Sequence, residues 1–440
     1  MLQANYSFVD LIYRLPMGQK GVFATSGAKG HFPELLAFDP LAEFVLTAAN
    51  LDLLPEFIST NKGNLIGFNL SYDLGLHLEE INKIAKAPEP EGLGEAAEEP
   101  KPEEAEETPK VTKPEDASEA EPAKILGVFY AYAEYICFKK DLASLFFKGS
   151  DFPEKVEALS NTRLPREKIH PLELGASWSQ ETYKEKFDQV IEYIKAGDIY
   201  QVNLTQKIEG EFLGRGVDLF CRLTEVNQPL FGGYFSGEDF EFLSQSPELF
   251  LKTQGPRVLT QPIKGTRPKG ENEMEQKKSL LNSVKEESEL FMITDLLRND
   301  LSKVCKAGTV KVNKHKELLS LNEVIHSFSE IEGRLKPDKT PLDLLLGAFP
   351  GGSVTGCPKR RAMEIIEELE DGPRGYYTGA FGFFDAHGDL NCSINIRSFV
   401  KQGDQVNFYV GGGVTALSQW EEEYAEMEHK KNSVIANLDQ

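Results

Sequence analysis

The alternation of apolar and polar positions divides the chain into helices, strands and one stretch that is neither. Tyr183, Phe187, Val190, Ile191 and Ile194 recur at helical spacing, with Ser179 placed to cap the start and Gly197 to end it. Residues 284–301, 359–370 and 419–436 read as further helices. Met363, Ile366 and Leu369 share one face of the second, and Trp420, Tyr424, Met427 and Val434 the buried face of the third. β-Branched and aromatic runs predict strands at 125–140, in DIYQVNLTQKIEG (198–210) and in ELFLKT (248–253). GAFGFFD, CSINIRSFV and QVNFYV follow in hairpin-like succession. Strands joined by hairpins, with helices set apart, predict an α+β fold built on antiparallel sheets.

The exception is 87–123, where thirteen acidic residues face three lysines and the only large apolar side chains are Leu93 and Val111. Burial there cannot offset the entropy of ordering, so the segment reads as a disordered acidic insertion. It lies inside an N-terminal region, 1–150, that precedes a second region, 175–436. The insertion supplies ten of the net charges behind the overall −22, which argues against nucleic acid or an anionic membrane as partner. Five scattered cysteines with no CxxC pair exclude a disulfide framework and a thiolate zinc site. The start, MLQANYSFVDLIYRLP, is unlike a signal peptide, and no run approaches the ~20 apolar residues of a membrane span. A soluble, cytoplasmic protein is expected.

Four constellations carry candidate chemistry. PIKGTRPKG (262–270) sets Lys264 on a turn between two prolines, where backbone N–H groups and the Thr266 hydroxyl can hold an anion. Glu286 and Glu289 are three residues apart, as are Glu423 and Glu426, with Lys430 four beyond. Each pair shares a helix face, and two such faces make an all-oxygen site for Mg²⁺. GGSVTGCPK (351–359) leads into a helix N-terminus, a ready anion site. In the strand that carries Arg397, Cys392, Ile394 and Ile396 take one face and Ser393, Asn395 and Arg397 the other. Beside the glycine run 411–413, that arginine can grip a carboxylate bidentately. Together these describe a pocket for a small polyanion and a divalent cation. Each has a plainer reading as well, since single lysines, acid pairs and arginines are most often solvated.

PIKGTRPKG, MITDLLRNDL, FPGGSVTGCPKRRAMEII, INIR and EEEYAEMEHKK, in this order, resemble the chorismate-binding enzymes, over roughly 175–436; GNLIGFNLSYDLGLHLE (63–79) is similar to the family's N-terminal region. The resemblance implies two large antiparallel β-sheets packed together with helices on the outside, as in anthranilate synthase component I. It implies Glu289 and Glu426 as Mg²⁺ ligands, with Glu286 and Glu423 acting through water. Arg397, Tyr377 and Gly411, Gly412 and Gly413 would grip the enolpyruvyl carboxylate. Gly265, Thr266, His326, Thr355 and Lys430 match substrate-lining positions, and Glu248 matches the general acid facing the 4-hydroxyl of chorismate.

Members that add water carry a lysine base where this chain has Gln201, and a neutral amide cannot take that proton. Anthranilate synthases usually read PIAGT at PIKGT. The residues are most similar to those of aminodeoxychorismate synthases, which implies Lys264 as a nucleophile on chorismate. No stretch resembles a glutamine amidotransferase, so a separate subunit supplying ammonia is implied as partner. Anthranilate synthesis and a non-catalytic tryptophan-sensing subunit are the alternatives. For tryptophan, Ser26 matches the serine of the family's regulatory pocket. Leu230 stands where proline is usual, which frees the loop to take another shape and predicts weak or no binding.

Overall fold

The structure is a computed structural model, and it describes residues 12, 14–15, 19–27, 32–85, 123–139, 144–148, 172–175, 178–269, 272–320 and 324–435. The acidic insertion expected at 87–123 lies almost wholly outside the described residues. Two antiparallel sheets form the body. The larger runs Gly356–Cys357, Gln201–Glu211, Gln405–Thr415, Ser398–Gln402, Glu241–Ser246, Phe231–Ser236, Val22–Ser26, Glu34–Ala37, Tyr135–Lys139 and Ser144–Lys148, with Glu173–Leu174 paired to Gln201–Glu211. The second runs Ile263–Pro268, Val324–Arg334, Arg257–Gln261, Leu249–Gln254, Leu390–Ile394, Ala380–Phe384, Leu65–Leu70, Gly127–Tyr132 and Ala42–Leu46, with Lys311–Ser320 paired to Val324–Arg334.

Three buried clusters make the layers. Phe23, Phe235 and Phe242 of the larger sheet meet Val128, Tyr130, Phe381 and Phe383 of the second, so the inner faces pack through aromatic rings. The outer face of the larger sheet, with Val202, Leu204, Ile208 and Phe408, is covered by helices Gln180–Ala196, Gly216–Asn227 and Lys359–Leu369. The outer face of the second sheet is covered by Val284–Val304 and Pro341–Ala348, through Ile293, Leu297, Leu301, Leu344 and Leu345. The α+β fold of two packed antiparallel sheets with outer helices is the one observed. Strands from the N-terminal part are built into both sheets: Phe23 pairs with Phe235, and Phe68 with Gly382.

Local chemistry accounts for the element ends. Ser179 Oγ accepts from Thr182 N at 3.2 Å, and Gly197 closes that helix at φ +83, where a side chain would strain. The run expected as one strand at 125–140 is two, Gly127–Tyr132 and Tyr135–Lys139, in different sheets. Gly127–Tyr132 is buried on both faces, so no alternation marks its end. No helix of the described residues is long and apolar enough to cross a membrane.

Candidate active site

Two neighbouring crossings between the sheets create the site. The chain passes from Glu241–Ser246 in the larger sheet to Leu249–Gln254 in the second, with Glu248 at the crossing. It returns from Leu390–Ile394 to Ser398–Gln402, with Arg397 at that crossing. The two are stitched together by Ile394 N donating to Glu248 O at 3.3 Å and Gln245 N donating to Arg397 O at 3.1 Å. Arg397 is therefore not on a strand, as the alternation implied. The strand ends at Ile394, and Arg397 takes φ +51, which turns its side chain into the cavity.

Lys264 is on a strand, Ile263–Pro268, rather than on a turn. The strand shifts register against Val324–Arg334 at Gly265, between the pairs Lys264↔Ser327 and Thr266↔His326. Gly265 has φ +68, and a Cβ there would lie 2.7 Å from Glu286 Oε2, so only glycine fits this bulge. Lys264 Nζ donates to Ser353 O at 3.0 Å, and Ser353 Oγ donates to Glu248 Oε1 at 2.5 Å. Glu248 is almost fully enclosed, and burial pushes its carboxyl up to about 7, against the opposing pull of Ser353 and Lys264. It is thus partly protonated near neutral pH.

His326 Nδ1 lies 3.2 Å from Gly265 O and 3.1 Å from Thr266 Oγ1. A carbonyl only accepts, so the bond to Gly265 O puts the proton on Nδ1 and leaves Nε2 as an acceptor. Nε2 is buried with no partner among the described residues, and burial followed by Arg397 lowers the ring to about 3, so it is a neutral imidazole. Burial lowers the Arg397 guanidinium to about 10, and among the described residues no carboxylate acts on it. A charged arginine enclosed in that way is chemically suited to an anion. Tyr377 lines the same cavity and stacks on Tyr409, with centroids 4.7 Å apart.

Glu286, Glu289, Glu423 and Glu426 line the cavity from helices Val284–Val304 and Trp420–Ile435. Each meets a cation. Lys285 bonds Glu423 and lies 3.9 Å from Glu289, Arg267 lies 3.2 Å from Glu286, and Lys430 lies 2.8 Å from Glu426. Lys430 holds Glu426 down at about 2, while burial pushes Glu289 up to about 7. The backbone of Gly411–Gly413 runs beside these groups, and a Cβ on Gly413 would strike Gln201 Nε2 at 2.4 Å. A Cβ on Gly413 would sit 3.3 Å from Glu289 Oε2, and one on Gly412 would sit 3.6 Å from Glu423 Oε2 and Lys430 Nζ. Among the described residues no three acids converge on one point. Hard oxygens in pairs still fit Mg²⁺, which is ordinarily held by one or two carboxylates, waters and substrate oxygens rather than by a protein cage.

Lys264, Glu248, Gly265, Thr266, His326, Tyr377, Arg397, Gly411, Gly412, Gly413, Lys430 and the four glutamates therefore share one cavity. Gln201 and Thr355 do not line it. Gln201 Nε2 stands behind Gly413, and Thr355 is fully buried with its hydroxyl donating to Gly351 O at 3.1 Å. The N-terminus of Lys359–Leu369 lies away from the main cavity. It lines a second cavity, beside which Lys359 bonds Asp300 Oδ2 at 2.7 Å. Reading the sequence missed Lys285, Asn203, Ser353 and Tyr409 in the main cavity. Lys285 had a signal, being four residues before Glu289; Ser353 had none beyond its motif.

A buried acid, an amine, an arginine with no counter-ion among the described residues and paired carboxylates thus meet in one cavity, the make-up of an enzyme site. Residues 103–436 match the family of chorismate binding enzymes, and the chain belongs to it. It is 39% identical over 267 residues to aminodeoxychorismate synthase component 1 of Escherichia coli, covering 60% of this chain and 59% of that protein. It is also 39% identical over 263 residues to anthranilate synthase component 1 of Thermus thermophilus, covering 59% and 57% respectively. These alignments span less than two thirds of either relative. The crystal structure of anthranilate synthase component I from Streptococcus pneumoniae superposes with a TM-score of 0.74 at 22% identity, covering 99% of both chains, and so shares the fold.

Proposed function

We propose that the chain is the synthase component of aminodeoxychorismate synthase, which aminates chorismate at C4 with ammonia from a glutaminase subunit. The product, 4-amino-4-deoxychorismate, leads to 4-aminobenzoate and folate. The observation that carries this reading is Lys264, an amine inside the cavity that shares Ser353 with the buried acid Glu248. Lys264 Nζ adds to C2 of chorismate, the ring double bonds shift, and the C4–O bond breaks. The proton of Glu248 leaves with that oxygen as water. Ammonia then adds at C4, the double bonds shift back, and the bond to Lys264 breaks. The surplus proton of the ammonia returns to Glu248.

Arg397, Tyr377 and the Gly411–Gly413 backbone would hold the enolpyruvyl carboxylate, and the Nε2 lone pair of His326 would accept from a substrate or ammonia N–H or O–H. Mg²⁺, held by Glu289 and Glu426 with Glu286 and Glu423 behind them, would supply the counter-charge to the ring carboxylate. The equal identity to an anthranilate synthase favours amination at C2 as the second reading. Lys264→Ala tests the proposal with ammonium salt as nitrogen source. Amination is expected to collapse while calorimetric binding of chorismate persists; wild-type turnover in the variant would refute the covalent role.

A further inference from the structure

The loop between helices Pro341–Ala348 and Lys359–Leu369 is clamped by groups from several elements. Lys359 Nζ donates to Ala348 O at 2.9 Å, Pro350 O at 2.7 Å and Asp300 Oδ2 at 2.7 Å, all buried. Arg374 Nη1 donates to Val354 O at 2.8 Å, and Asn203 N to Thr355 O at 2.8 Å. On the far side, a Cβ at Gly352 would lie 2.7 Å from Leu296, so the loop is pressed against that helix. Within this frame Ser353 is 6% exposed and has little freedom to move.

Both polar ends of Ser353 are used. Its hydroxyl donates to Glu248 Oε1 at 2.5 Å, and its carbonyl accepts from Lys264 Nζ at 3.0 Å. Glu248 sits at a crossing between the sheets and Lys264 on an edge strand of one of them, so neither element alone fixes their separation. When the hydroxyl donates to Oε1, that oxygen is the carbonyl oxygen of the protonated acid and the transferable proton falls on Oε2; the backbone N–H of Ile263 also bonds this carboxyl. On the amine side, the bond from Nζ to the Ser353 carbonyl fixes where the nitrogen sits relative to the acid.

We propose that Ser353 is a positioning residue that holds acid and nucleophile in register, its hydroxyl choosing which oxygen of Glu248 carries the proton and its carbonyl placing the amine. The inference rests on the function proposed above.

Ser353→Ala keeps the carbonyl and removes the hydroxyl, and Ser353→Thr keeps both. With ammonium salt, kcat of the alanine variant is expected to fall roughly ten- to hundredfold. KM for chorismate should stay within about twofold, the signature of an interaction used in the chemical step alone. The melting temperature should be unchanged, and the threonine variant should regain most of kcat. An alanine variant with wild-type kcat would overturn the inference, as would parallel losses in kcat, KM and melting temperature, or a threonine variant no better than alanine. The wild-type product reports on the other reading separately. Anthranilate from wild type overturns amination at C4, whereas 4-amino-4-deoxychorismate from wild type with an unaffected Ser353→Ala overturns the role of the serine alone.

Discussion

In one part of the space between the sheets, Phe23 stacks on Phe381 with centroids 5.2 Å apart, and Tyr130 on Phe235 at 5.0 Å. In another, the same two sheets enclose Glu248, Lys264, His326 and Arg397 around a cavity. The aromatic part stabilises by excluding water, with each ring pair adding about 0.5–1.5 kcal/mol beyond the area it buries. The polar part spends stability instead. Burial moves Glu248 up to about 7, His326 down to about 3 and Arg397 down to about 10, each toward its neutral form. One wall is built for strength, the other for chemistry, and the crossings at Glu248 and Arg397 mark where one gives way to the other.

Substitutions on the two sides should therefore separate activity from stability. The largest effect is expected for Glu248→Gln, with kcat lost by ~10²–10⁴-fold in the ammonium assay. The acid acts in its protonated form, so wild-type activity should fall as pH rises through about 7, and the amide variant should lose that limb. The fold should hold or gain slightly above pH 7, because an amide avoids the cost of a buried ionised carboxyl. Melting curves and pH–rate profiles on the same samples check both halves.

Next is Glu289→Gln, which removes one of the paired carboxylates. Calorimetric titration with Mg²⁺ in the presence of chorismate should show binding weakened tenfold or more, on the order of 1.4 kcal/mol, with activity falling in parallel. Undiminished binding would remove Glu289 from the ligand set.

On the aromatic side, Phe381→Ala should cost about 3–5 kcal/mol of stability. KM for chorismate should stay unchanged at temperatures where the variant remains folded. Chemical denaturation and steady-state kinetics would check it, and a selective loss of kcat would break the division between the two parts.

The smallest effect is expected from tryptophan. Leu230 is 1% exposed, and Phe32 packs on Phe231 at 5.1 Å and on Phe383 at 5.9 Å, in the same cluster and close to Gly27. Added tryptophan should leave amination unchanged, and calorimetry should show no saturable binding at micromolar concentration.

Much of the aromatic and helical frame was legible because it follows a period. The helix Gln180–Ala196 announces its face, its serine cap and its terminal glycine. The site was legible mainly through its motifs, and least so where geometry breaks a period. Alternation runs on through Cys392–Arg397 and suggests one strand, while the chain leaves the sheet after Ile394. Nothing local records that Val22–Ser26 pairs with Phe231–Ser236, since the partners are some two hundred residues apart in the sequence. The cations were missed for another reason. Acids at helical spacing suggest a metal, and although Lys285 stands four residues before Glu289, it reaches Glu423, and Arg267 reaches Glu286, only once the helices and the edge strand meet.

The most direct measurement supplies chorismate, Mg²⁺ and ¹⁵N-ammonium to the purified chain and locates the nitrogen in the product by NMR. Nitrogen at C4, with the enolpyruvyl group retained, is the result expected of Lys264 and Glu248 acting across Ser353. Nitrogen at C2 of an aromatic ring that has lost pyruvate would contradict it.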